Sequence, residues 1–239
     1  MFYDLEKPLE FVKEISQSLD DNGIWNFEQS YLPLMLKANS FDTICHEHLE
    51  FYYLKQIYWL LDKCDMKIVD VSLNDINGGS FSIIAAKKKS KIKINKKAID
   101  KLLNYEKKLK LENIAIYKKF KKNVDLQGKK LLNFLKIKKK EGKKVFGLGA
   151  STKGNVLLQY YKINSKYLDC IGEVNQDKVG SYTPGSKIPM ISENEALDKK
   201  PDYFLVLPWH FKKFFINSKK FSGQKLIFPL PSFKVVKVK

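Results

Sequence analysis

"KKVFGLGASTKGNVLLQYY", Lys143–Tyr161, is the stretch on which the fold turns. A short apolar run leads into a glycine-rich turn, and the turn leads into a segment with helical spacing. Three further apolar runs follow: "YLDCIGEVN" (Tyr167–Asn175), "PDYFLVLPW" (Pro201–Trp209) and "QKLIFPLP" (Gln224–Pro231). Strands that alternate with helices predict a parallel α/β sheet. Residues 143–239 therefore read as a parallel α/β domain.

The turn carries possible chemistry. Gly147 and Gly149 form a GxG just after the strand. Such turns let backbone N–H groups face an anion. The third glycine of a dinucleotide fingerprint would fall on Thr152, and the next glycine is Gly154. Glu173 ends the second strand about 20 residues on, where an acid that binds ribose belongs. A phosphate loop is rejected, because Asn155 stands where its lysine is required. Gly147, Gly149, Ser151, Lys153 and Glu173 are candidate nucleotide contacts. A tight strand-to-helix turn with no ligand accounts for the same residues. His210, in "LPWHF", follows an apolar strand; alone it reads as a packing residue, and Trp209 serves a core or a base stack equally.

Upstream, "SFDTICHEHLEFYY" (Ser40–Tyr53) holds two of the three histidines, His46 and His48, with Glu47 between them. The spacing is not HExxH, and no third ligand lies nearby in sequence, so no metal is assigned to this chain. Histidine suits proton abstraction beside a carbonyl; structural packing explains the residues as well. Before this loop, Leu9, Val12, Ile15 and Leu19 predict a helix stopped near Gly23, and Ile24–Tyr31 reads as a strand. After it, Leu49–Leu61 reads as a helix. Met66–Asp75 and Gly79–Lys88 read as strands of an antiparallel hairpin joined by "INGG". Ala98–Lys140 is lysine-rich and helical, interrupted near Gly128, with Leu102, Leu109, Ile116 and Phe120 as an apolar stripe. The reading divides the chain into residues 1–90, a helical linker over 91–142, and 143–239.

The net charge of +18 is confined. Lys87–Lys144 holds 23 lysines against 5 acids, and the rest of the chain balances. Every basic residue is lysine, whereas base readout and bidentate phosphate clamps favour arginine. Solvated helix faces explain the charge better than a nucleic-acid partner. No run of 18 uncharged apolar residues exists, so no membrane span is expected. The acidic start "MFYDLEKPLEF" is not a signal peptide. Cys45, Cys64 and Cys170 are scattered, as in a reduced cytoplasmic protein.

"FDTICHEHLEFYYL", "NGGSF", "KKVFGLGASTKGNVLLQYY", "YTPGSKIPMIS", "PDYFLVLPWHF" and "LIFPLP" together resemble the S-adenosylmethionine-dependent C-methyltransferases of nucleotide-activated deoxysugars, from about Met1 to Pro231. The resemblance implies a fold of three parts: the end of a class I methyltransferase Rossmann sheet, the lysine-rich helical linker, and the C-terminal Rossmann-like domain. It implies a dTDP-linked keto sugar as substrate, methylated beside its ketone. His48 becomes the general base, Glu47 orients it or contacts sugar, and His46 lies beside them. Gly78 and Gly79 of "NGGSF" join the substrate-contacting set. Cys45 stands where the family often has tyrosine. The family's acidic-glycine motif for S-adenosylmethionine and its zinc cysteines lie upstream of the matched stretch. The chain is therefore expected to be the C-terminal half of an enzyme, from a split gene, a downstream start or a remnant, and incomplete alone; a separately encoded N-terminal half is one expected partner. A non-catalytic nucleotide-sugar-binding module is the alternative.

Overall fold

A computed structural model describes residues 2–239. The chain forms two compact units. The first comprises Met1–Ala38 and His46–Phe120, the second Asn39–Cys45 and Lys121–Lys239.

In the first unit, helix α1 (Pro8–Ser18) opens on a proline at its first position, where the missing N–H costs nothing. It ends at Leu19, and Gly23 instead closes a turn on the Asp20 carbonyl. Strand β1 (Ile24–Ser30) follows. Trp25 and Phe27, two apart and so on one face, stack at 4.0 Å, and Phe2 packs on both. Helix α2 (Leu32–Ala38) lies within a stretch that reads as loop. Helix α3 (Leu54–Lys63) begins five residues later than its sequence suggests. Strands β2 (Met66–Asn74) and β3 (Ser80–Lys87) form the expected antiparallel hairpin. The sheet order is β1-β3-β2, with β3 antiparallel to both neighbours. Phe81, Ile83 and Ala85 of β3 carry the core, together with Leu54, Ile57 and Leu61 of α3.

The lysine-rich segment forms α4 (Lys96–Leu109) and α5 (Ile114–Lys140). Leu102, Leu109, Ile116 and Phe120 all pack on the first unit's core. The break falls at Lys110, which adopts φ 54°, rather than at Gly128. Gly128 sits inside an unbroken α5 because of packing: a Cβ there would lie 2.3 Å from the Tyr161 ring.

The second unit is an α/β fold around one mixed sheet. Strands β4 (Val145–Leu148), β5 (Ile171–Glu173), β6 (Met190–Ser192), β7 (Tyr203–Val206) and β8 (Lys225–Phe228) run parallel, and β9 (Lys234–Lys237) pairs antiparallel with β8. The order is β6-β5-β4-β7-β8-β9. All four residues of β4 are buried, as in a central strand covered on both faces. Helices α6 (Thr152–Tyr160), α7 (Glu193–Asp198) and α8 (Lys212–Asn217) supply the connections. No described helix is long and apolar enough to cross a membrane.

Candidate functional site

His46, Glu47 and His48 lie on an irregular loop of the first unit. His46 and Glu47 are exposed, and His48 is half-buried. The His48 ring meets Tyr3 edge-on at 4.4 Å and Phe51 at 6.5 Å. The Tyr3 carbonyl accepts from the Leu49 and Glu50 amides at 3.1 and 3.3 Å, tying the backbone beside the histidine. The far end of the loop is pinned at the start of α3. There the buried Glu106 of α4 accepts from the Leu54 amide (2.6 Å), the Lys55 amide (3.1 Å) and the Tyr31 hydroxyl (2.8 Å). A carboxylate at this terminus takes the place of a cap. Burial holds the Glu106 carboxyl above its usual range, outweighing its three donors, and burial with the Glu106 charge pushes the Tyr31 phenol up. Gly78 and Gly79 form the hairpin turn, and the Gly79 carbonyl accepts from the Tyr31 amide.

Cys45, Gly147, Gly149, Ser151, Lys153, Glu173 and His210 belong to the second unit. Gly149 is obligatory on two counts: its φ is +75°, and a Cβ would lie 2.9 Å from the Pro208 ring. Ser151 caps α6, its hydroxyl accepting from the Gly154 amide at 3.0 Å. Glu173 is buried and shapes the turn. One oxygen accepts from the Ala150 amide at 2.6 Å, the other from Val174 and Asn175, both at 2.9 Å. Three of the carboxylate's roughly four acceptor positions are thereby taken by the turn's own backbone amides.

Three residues from separate motifs gather around one that the sequence did not single out. Asp42, 1% exposed, accepts from Trp209 Nε1 at 2.7 Å and from the Ser40 hydroxyl at 2.9 Å. Lys153 lies within electrostatic reach of Asp42, Cys45 and His210. Burial raises the Asp42 carboxyl, lowers the Lys153 ammonium, and lowers His210 to about 4 with the help of the Lys153 charge. Trp209 is thus a buried donor. Its neighbour in sequence hints at a site, but nothing in the spacing links positions 42 and 209.

The C-methyltransferase C-terminal domain family matches residues 75–231, well over half of the chain. C-methyltransferase NovU of Streptomyces niveus is 30% identical over 230 residues. That alignment covers 95% of this chain and 54% of the relative, so the chain spans about half the relative's length. The long motifs and the α/β architecture of the second unit agree with this match: the chain belongs to the C-methyltransferase C-terminal domain family.

Proposed function

We propose that this chain is the C-terminal portion of an S-adenosylmethionine-dependent C-methyltransferase acting beside the ketone of a nucleotide-linked keto-deoxysugar, with His48 as general base. The observation that carries the reading is the fixing of His48. Its ring lies against Tyr3, on a loop bonded to the Tyr3 carbonyl at one end and to Glu106 at the other. An imidazole held in place suits removal of a proton beside a carbonyl.

In that step a ring nitrogen takes the proton. The C–H electron pair moves into the ketone to give an enolate, and the enolate carbon becomes the nucleophile. S-adenosylmethionine supplies an electrophilic methyl on a sulfonium. Glu47, beside the base in sequence and exposed, is the group we assign to meet a sugar hydroxyl or to orient the imidazole.

The proton step can be read without the methyl donor. A nucleotide-linked 4-keto sugar incubated with the chain in D2O should exchange the proton beside its ketone, followed by NMR. His48→Ala should slow the exchange by about two to four orders of magnitude, and His46→Ala by less. Equal exchange by the parent and His48→Ala removes His48 from the chemistry.

A further inference from the structure

We propose that the turn carrying His46 and Glu47 is a reversible zinc site, with one ion bound by Cys45 Sγ, a Glu47 carboxylate oxygen and a ring nitrogen of His48. The metal takes the lone pair with which His48 accepts a proton, so an occupied site turns the base off. That consequence rests on the reading of His48 above; the binding itself does not.

Local chain geometry assembles the donors. His46 and Glu47 lie in a turn, and a turn brings the residues that flank it together. Those residues are Cys45 and His48. One ligand atom from each of Cys45, Glu47 and His48 lies within 4.8 Å of the other two. The turn thus adds a third donor to two that the sequence already places side by side. Ligand atoms around a tetrahedral zinc, at about 2.0–2.3 Å from the metal, stand about 3.4–3.6 Å apart. The three donors therefore have to close by at most about 1.4 Å. Side-chain rotation covers that distance, because Glu47 is exposed and Cys45 and His48 are half-buried. Among the described residues, this is the one group of three His, Cys, Asp or Glu side chains close enough to share an ion.

The donor set selects the metal. Magnesium and calcium take oxygen ligands, and here oxygen is one donor of three. Thiolate, imidazole and carboxylate are the ligand types of zinc, and three protein ligands leave its fourth position to water. As the sulfur–zinc bond forms, the Cys45 thiol gives up its proton to solvent. A neutral imidazole has one acceptor nitrogen. While zinc occupies it on His48, a substrate proton has nowhere to go on that ring.

Three ligands on four consecutive residues at the surface make an open site, which an ion enters and leaves without unfolding the chain. The ring of His48 is held meanwhile by Tyr3 at 4.4 Å and Phe51 at 6.5 Å. The other two cysteines, Cys64 and Cys170, are buried, and burial pushes both thiols above their ordinary range. Neither offers the thiolate that zinc requires, so Cys45 is the sulfur that a metal titration reads.

The test is titration of the full chain with cobalt(II), a spectroscopic stand-in for zinc, followed by competition with zinc itself. A sulfur-to-cobalt charge-transfer band should saturate at one equivalent and vanish as zinc displaces the cobalt. Cys45→Ser should remove the band. Glu47→Gln should weaken cobalt binding at least about tenfold, since even a residue that only orients a ligand is worth that much. Should either variant fail to fold, the His48 ring of the parent still reports the site by NMR, because zinc should shift its resonances. In the D2O exchange assay, saturating zinc should slow the parent as far as His48→Ala does, by about two to four orders of magnitude, and should slow Cys45→Ser far less. No band, a band that survives Cys45→Ser, or His48 resonances that zinc leaves unmoved overturns the site. A band accompanied by undiminished exchange overturns the switch. Absence of exchange before any metal is added sinks the reading of His48 as base and spares the site, whose band is read without substrate. His48-dependent exchange without a band does the reverse.

Discussion

Replacing Glu106 with alanine tests how the loop bearing His48 is held. The substitution strips the acceptor from three donors. Tyr31 and Leu54 are both 0% exposed, so neither donor is reached by water. A buried donor left unpaired costs about 1–3 kcal/mol. The Lys55 amide, on an exposed residue, regains water and costs little. Release of a buried carboxylate offsets part of the loss, which leaves about 3 kcal/mol of destabilisation. At about 2–4 °C per kcal/mol, the melting temperature of the first unit should fall by roughly 6–12 °C. Glu106→Gln keeps one acceptor and should cost about half as much. Hydrogen exchange of the β1–β3 amides reads the unit directly.

The pH dependence has a definite sign. Burial raises the folded carboxyl above 4.5, so as pH climbs past that value the unfolded chain releases its proton first. Stability contributed by Glu106 is complete below 4.5 and is lost as pH rises through the folded value, a slope that Glu106→Gln should abolish. An alanine variant within 1 kcal/mol of the parent, or a glutamine variant worse than alanine, refutes the reasoning.

His210 sets an opposite trend in the second unit. With a folded value of about 4 against an ordinary 6.5, it should cost up to about 3 kcal/mol as pH falls through that interval, because only the unfolded imidazole takes the proton. Asp42, raised by burial, titrates in the restoring sense, so the difference between His210→Asn and the parent isolates the histidine; urea titrations at pH 7 and 4.5 that give both chains the same loss contradict this. Gly128→Ala gains about 1 kcal/mol of helix propensity but drives a methyl into Tyr161, whose hydroxyl bonds the Val124 carbonyl. It should destabilise by about 2 kcal/mol net, and a rise in melting temperature would show that the ring moves aside freely.

The elements legible in the sequence are those whose signal is local. "VFGLGASTKGN" announces a short apolar strand, a glycine-rich turn and a helix, and the structure contains all three. The Ile76–Gly79 turn between alternating runs likewise gives the hairpin. Helix α2 was hidden because Pro33 reads as a breaker, although a proline in the first turn begins a helix without loss. Strand β6 has only three residues, too few for any period to register, and β9, "KVVK", is mostly exposed at the sheet's edge. Gly128 was misread as an interruption because its partner, Tyr161, lies 33 positions away. The candidate site shows the same limit. The HEH loop and the glycine turn are visible as motifs, whereas the Asp42–Trp209 bond and the engagement of Glu173 depend on tertiary pairing.

The excursion of Asn39–Cys45 into a unit otherwise built from Lys121 onward bears on how the chain is made. Asp42 and Trp209 are 167 positions apart. At about 5–20 residues per second, a ribosome synthesises Trp209 some ~8–33 s after Asp42. Through that interval the flanking residues of the first unit can associate, while seven residues between them remain solvated and await their partners. Order of emergence therefore separates the two assemblies in time, although the sequence interleaves them. The same interleaving bars a clean excision: any fragment that starts within α5 carries Trp209 away from Asp42 and leaves a buried indole N–H without its acceptor.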